Sequence, residues 1–319
     1  MNVLPGGDYT IALALFCIMA AGWALAWKKV IGPEGAKSLV RLTGLVAVPT
    51  MTGYQALSLV TPEILKGALP GALIAFASTT ALFVLGIFLA RALHVPEGRR
   101  GLFTVMFSLA NTILVGMPIV ESFCSDAALP YVAYFFIANT FVLWTAGAYL
   151  IRRDAVIRAG KDPRFTWPDG FKRLVSPALI AFLLGCAVNL LGITLPSFLT
   201  VAIGYVAHAA PPMAMFYAGL ILYLTGKDAL RIQKGQLMVF AGRFLIGPAV
   251  MFACCLLFGL PVPMRQAFVL EAAMPTMAQS MVISGASGAD SPYAASTFWW
   301  TLMLSMAAVP LLALLLSAI

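Results

Sequence analysis

Five polar side chains of this sequence lie inside long apolar stretches, and their types limit what they can do. Asn111 and Asn139 each present an amide that both donates and accepts. Arg243 presents a fork of five donors, Glu271 a carboxyl that can exchange a proton, and His208 an imidazole just before Pro211–Pro212. In an apolar surrounding each is costly unless paired, so each either closes an internal hydrogen bond or faces a wet cavity. Asn111 can orient an anion without repelling it, or hold two helices together; Asn139, followed by Thr140 and Trp144, has the same two readings. Glu271 and Arg243 form a structural ion pair, or Glu271 exchanges protons. His208 reads first as a satisfied polar histidine near an aqueous boundary.

The surroundings of Asn111 and Glu271 sharpen this. The apolar stretch from Arg100 to Pro118 holds Asn111 near its middle, with Gly116 and Pro118 soon after. A second stretch echoes it. With Arg265 set on Arg100, Phe268 meets Phe103, Pro275–Thr276 meet Ala110–Asn111, and Asp290 falls within one position of Asp126. A proline lacks an N–H, so Pro275 should free the carbonyl of Glu271, and Pro118 that of Leu114. Freed carbonyls and helix C-terminal ends attract cations, and N-terminal ends attract anions. Two interrupted apolar segments at matching places in two halves point to the binding site of a secondary transporter.

The elements that would position these residues follow from composition. Apolar residues make up 61% of the 319, and charged residues 10%, too few to cover a water-soluble core of this size. Most of the chain therefore meets lipid. The excess of 20 Lys+Arg over 12 Asp+Glu sits between apolar segments, where it orients a chain in a membrane and does not indicate nucleic acid. The five cysteines lack metal-ligand spacing, and the sequence reads as using no metal or cofactor. The first residues, Met-Asn-Val-Leu-Pro-Gly-Gly-Asp, have no basic region of the kind that begins a cleaved signal.

A membrane-crossing helix takes about 20 mostly apolar residues. That ruler predicts ten helices: 9–27, 37–59, 69–93, 100–121 and 128–150, then 174–192, 197–225, 236–259, 265–285 and 292–317. The fold class predicted is all-α membrane protein, with 1–150 and 174–319 as two inverted five-helix repeats joined by a basic linker at 151–173. Lys28, Lys29, Lys37 and Arg41, then Arg91, Arg99 and Arg100, then Arg152 to Arg173, then Lys227, Arg231 and Lys234 mark alternate connections. Those connections should be cytoplasmic, with both termini outside. Arg265 and Asp290 give a weak contrary signal.

Catalytic patterns are thin. There is no His-Glu-x-x-His, no Gly-x-Ser-x-Gly and no Gly-rich phosphate loop with a lysine. No paired acids suit a lipid-modifying enzyme of the membrane, which stands as an alternative beside a ligand sensor that does not transport.

At these same residues the chain resembles the auxin efflux carrier family. Leu109-Ala-Asn111-Thr112-Ile-Leu-Val-Gly116-Met-Pro118 is similar to a Leu-Pro-Asn-Thr-x-x-x-Gly-x-Pro run of the plant members, and Glu271-Ala-Ala-Met-Pro275 to their Gln-Ala-Ala-Leu-Pro. Asn139 with Trp144 matches a Gln and Trp at that spacing, and Pro49 also fits. The resemblance implies an elevator-type carrier like bile-acid symporters and sodium–proton antiporters. Helices 1, 2, 6 and 7 would be its scaffold, helices 3–5 and 8–10 its moving part, and the fourth and ninth would cross at their breaks. It implies that Asn111 binds a carboxylate, with Ala110, Thr112, Asn139, Pro275, Thr276 and Gln279 around it, and that Gly116, Pro118 and Pro275 form the crossover or hinge. Its partners would be a small carboxylate such as malate or malonate, H+ or Na+ as coupling ion, and a second copy bound through the scaffold, in the cytoplasmic membrane. Two departures matter. Ala110 replaces the crossover proline, so the break should be less sharp or fall later, at Gly116–Pro118. Glu271 replaces glutamine and adds an acid.

Overall fold

The computed structural model describes residues 10–60, 69–162 and 176–317. The first nine residues, the connection at 61–68 and most of the expected linker, from 163 on, lie outside the described residues. The named elements of the described chain are all helices. In order come α1 (Thr10–Trp27), α2 (Pro33–Leu42), α3 (Val48–Leu59), α4 (Leu69–Ala92), α5 (Arg100–Ser108), α6 (Met117–Phe123), α7 (Leu129–Val142) and α8 (Ala148–Arg158). After 175 come α9 (Pro177–Leu190), α10 (Ser197–Thr225), α11 (Gln236–Ala241), α12 (Gly247–Leu257), α13 (Val262–Ala272), α14 (Gln279–Ser287) and α15 (Ser291–Ser317).

Four π-helical segments, Thr43–Ala47, Thr112–Gly116, Leu143–Gly147 and Gly242–Ile246, join α2 to α3, lead into α6, join α7 to α8, and join α11 to α12. Pro49, Pro118 and Pro248 each follow one of them directly, in the first turn of the next helix. A proline cannot donate to the carbonyl four residues back and its ring crowds that turn. A π turn widens the ladder there, so the chain stays helical through the proline.

Ten membrane helices in two inverted five-helix repeats is not what the structure shows. Among the described residues five spans are long and apolar enough to cross a membrane: Gly71–Ala92, Asp126–Arg158, Ser197–Thr225, Gln236–Leu257 and Ser291–Leu316. Ala12–Trp27, Thr112–Phe123 and Pro177–Leu190 are apolar but shorter. For three of the remaining stretches the reason is continuity. Apolar length counts residues, whereas crossing a bilayer as a helix needs an unbroken ladder. The 100–121 and 265–285 stretches each divide into two short helices, and the 37–59 stretch starts in an amphipathic helix that buries only Ala36 and Val40. At 151 the expected linker is still helix: α8 runs to Arg158 and buries Ile151 and Asp154.

Helices α1, α3, α9 and α10 pack on one another, and α4–α8 pack with α11–α15. Ile180, Leu183, Leu184, Phe198, Val201 and Tyr205 of α9 and α10 are exposed, as suits a surface against lipid. At one end of the molecule Asp290 gathers three elements. Its Oδ2 accepts from Arg99 Nη2 at 2.6 Å and Arg158 Nη1 at 3.0 Å, and its Oδ1 accepts the backbone N–H of Tyr293 at the start of α15. Arg99, Arg158 and Asp290 therefore share one face, so the contrary sign of Asp290 disappears.

Candidate functional site

The two interrupted stretches meet at their breaks. After α5, Leu109 turns extended (φ −102°, ψ 138°), Ala110 forms an antiparallel bridge with Thr276, and Asn111 (φ −85°, ψ 74°) leads into the π segment. The Asn111 N–H donates to the Pro275 carbonyl at 2.9 Å. The chain therefore leaves the helix at Ala110–Asn111, while Gly116 is fully helical (φ −68°, ψ −48°). No proline is needed at Ala110 because tertiary partners hold it extended. Asn139 of α7 donates from Nδ2 to the Ala110 carbonyl at 2.7 Å and accepts the Ala110 N–H at 3.4 Å, so its amide acts as a missing strand. Thr276 is held by Thr301, its hydroxyl 3.1 Å from that of Thr301.

The ends of the broken helices are sorted by polarity. The C-terminal ends of α5 and α13 converge on Arg243, which is 1% exposed. Its Nη1 donates to Ser108 O at 2.9 Å, its Nη2 to Ala272 O at 2.7 Å and its Nε to Met274 O at 2.9 Å. Each helix end carries about half a negative charge, so one guanidinium balances both. The carbonyl of Glu271, expected to be free, accepts from Met274 N–H at 3.2 Å. The uncapped carbonyls lie beside it and are taken by the protein's own cation. At the other end of α5, buried Asp154 accepts the Leu102 N–H at 2.8 Å. Opposite charges thus hold both ends of this nine-residue helix.

The N-terminal ends open on a cavity of about 550 Å³. Asn111, Thr112, Pro118 and Gln279 line one wall, and Tyr54, Gln55, His208 and Pro211 of α3 and α10 the other, so the cavity lies between the two packing groups. Asn111 is 4% exposed and its Nδ2 has no protein acceptor; the amide oxygen of Gln279 likewise has no protein donor. His208 Nδ1 lies 2.6 Å from Gly204 O, and since a carbonyl only accepts, Nδ1 carries the hydrogen and Nε2 is the nitrogen left over. Among the residues lining the cavity none is Lys or Arg.

Of the residues singled out in the sequence, Asn111, Thr112, Pro118 and Gln279 come together on this wall. Ala110, Asn139, Pro275 and Thr276 build the crossing behind it, and Gly116 faces Glu271. No hydrogen bond joins Arg243 to Glu271, since neither carboxylate oxygen of Glu271 has a protein donor. Tyr54 and Gln55 were not singled out. The signal was there, two polar side chains adjacent in an apolar segment, but nothing in the order of residues set them opposite Asn111.

A model described as membrane transport protein matches residues 9–313 of the chain. The chain belongs to that family of membrane transport proteins. The family is that of the auxin efflux carriers, so the likeness carried by Asn111, Gly116 and Pro275 was to the right relatives. A protein of Methanothermobacter thermautotrophicus described as an uncharacterized transporter is 26% identical over 96% of this chain and 97% of its own. A Rhizobium meliloti protein described as a putative malonate transporter is 26% identical over 72% of this chain and 70% of its own. The protein is thus a multi-pass membrane transporter, and its work is transport and not catalysis, which removes the lipid-enzyme alternative.

Proposed function

We propose that this transporter is a secondary carrier of small organic anions, carboxylates of malate or malonate size, and that it holds them in the cavity at Asn111. One observation carries the reading: a buried amide donor, Asn111 Nδ2, stands without an acceptor at the N-terminal end of a broken helix on the cavity wall. An N–H donor there, with the unpaired backbone N–H groups of the helix end, suits a carboxylate. Neutral donors hold an anion without a fixed countercharge, which lets it leave again. The name of the Rhizobium relative agrees with a dicarboxylate.

In the same reading the α4–α8 and α11–α15 group moves against α1, α3, α9 and α10 as an elevator, because the cavity lies between the two groups. The end bearing Arg99, Arg158 and Asp290 faces the cytoplasm, and the exposed face of α9 and α10 serves a second copy. The test is counterflow in liposomes holding the purified protein. Labelled malonate or malate should exchange, unchanged chemically, against the same unlabelled acid. Absence of exchange with every mono- and dicarboxylate tried, with ligand binding intact, would move the reading to a sensor.

A further inference from the structure

Glu271 is the polar group that the anion site does not explain. It is 0% exposed, does not line the cavity, and no protein donor reaches either carboxylate oxygen. Its neighbouring cation is already committed: all three kinds of Arg243 nitrogen donate to backbone carbonyls. An ionised carboxylate in that place is a buried charge without a hydrogen bond, a far costlier state than the neutral acid. The room it occupies is made for it. Gly116 on the facing segment is helical, so its backbone does not require glycine, yet a Cβ built there would collide with both carboxylate oxygens.

The other titratable groups near Glu271 do not neutralise it. Cys124, just past α6, lies near it and does not bond to it. Glu121 and Asp126 at that end are exposed, and Tyr134 of α7 and Tyr293 of α15 are buried without bonding to it. Cys254 and Cys255 of α12 do not bond to it either.

We propose that Glu271 is a proton-binding site and that its proton couples anion transport to a pH gradient. Glu271 is neutral while Gly116 seals it, and it releases the proton to water when the segment carrying Gly116 shifts against α13 within the moving group. That segment is Thr112–Phe123, whose other end carries Asn111 and Thr112 into the cavity. One continuous helical segment therefore meets both the anion and the proton site, which is the shared element that coupling requires. This rests on the anion-carrier reading above.

Two measurements separate the two ideas. The first uses no transport: infrared spectra of the full-length protein in liposomes, titrated with pH, should contain a protonated-carboxyl C=O band at neutral pH that Glu271→Gln lacks. The second imposes a pH gradient on the same liposomes with labelled malonate. The parent protein should accumulate it, Glu271→Gln should lose gradient-driven accumulation but keep counterflow, and Glu271→Asp, which restores a titratable group, should recover part of the accumulation. An unchanged carboxyl band in Glu271→Gln, or undiminished gradient-driven accumulation, overturns the proton site. If the parent moves no carboxylate while the band is lost in Glu271→Gln, the anion reading fails and proton binding stands.

Discussion

The two sides of the helix crossing are treated in opposite ways. On the C-terminal side three carbonyls are closed by one side chain: Ser108, Ala272 and Met274 all accept from Arg243, which is buried. On the N-terminal side Asn111 Nδ2 and the Gln279 amide oxygen are left without protein partners beside a cavity of about 550 Å³. In the proposed reading the same kind of backbone break gives a structural joint on one side and a binding surface on the other. A broken helix says that polar backbone is available; which end is a site depends on whether the protein has already spent a side chain there.

The strongest way to break this contrast is Arg243→Ala. It leaves three buried carbonyls and two helix ends without their cation, and removing one partner of a buried charged arrangement costs roughly 3–5 kcal/mol. Thermal unfolding in detergent should show a large loss of stability. Arg243→Lys should recover only part, because one ammonium cannot reproduce the planar fork. A variant Arg243→Ala that melts like the parent would show that the C-terminal side is not a joint.

Asn139→Ala and Asn111→Ala set one amide on each side against the other. Asn139 spans the Ala110 N–H and carbonyl. Its loss leaves buried backbone groups unpaired, at about 1–3 kcal/mol, and should lower stability and transport together. Asn111 Nδ2 has no protein partner to lose. Asn111→Ala should keep the parent's melting behaviour and weaken substrate binding about ten-fold or more, since a hydrogen bond to a charged group contributes roughly 1.5–3 kcal/mol. Asn111→Asp should bind still less, because like charges then face each other. If Asn111→Ala melts early and binds normally, Asn111 belongs to the joint and the anion site lies elsewhere.

Much of this joint could be read in the sequence, and the part that could not has a physical cause. Asn111, Pro275 and Thr276 stand out because amides and prolines are rare inside apolar runs, and they do meet. The place of the break was harder. Gly116 and Pro118 looked like the weak point, but the π turn before Pro118 absorbs the missing N–H. Ala110 looks like a helix former and is held extended by Asn139 of α7 and by Thr276 of the break between α13 and α14, both distant in sequence. One of the two readings open for Arg243 made it a partner for the acid at Glu271, since charge is what a sequence displays. Its real partners are carbonyls, which every residue has and no sequence marks. The ten-helix reading went wrong for a related reason: apolar length is written in the sequence, whereas the continuity of a helix is decided by what its backbone meets.

The smallest effect expected is on the wall opposite the crossing, at His208. Its Nδ1–H is used within α10 on the Gly204 carbonyl, and the Tyr54 ring packs against the imidazole with centroids 5.4 Å apart. Only Nε2 is left to meet a solute, as an acceptor when the ring is neutral and as a donor when it is charged. A carboxylate only accepts, so the neutral ring offers it nothing at Nε2; only the charged ring donates one hydrogen bond from this wall, about 1.5–3 kcal/mol less the cost of charging the ring. His208→Ala should raise the half-saturating malonate concentration about three-fold, and His208→Gln, which keeps a polar tip, by less. In the elevator reading this wall does not travel with Asn111, so the effect should be larger when the substrate is offered from one side of the membrane than from the other. Saturation curves on oriented vesicles of the two variants decide it. An equal effect from both sides would mean that His208 moves with the crossing, and a ten-fold effect would make it a second anchor equal to Asn111.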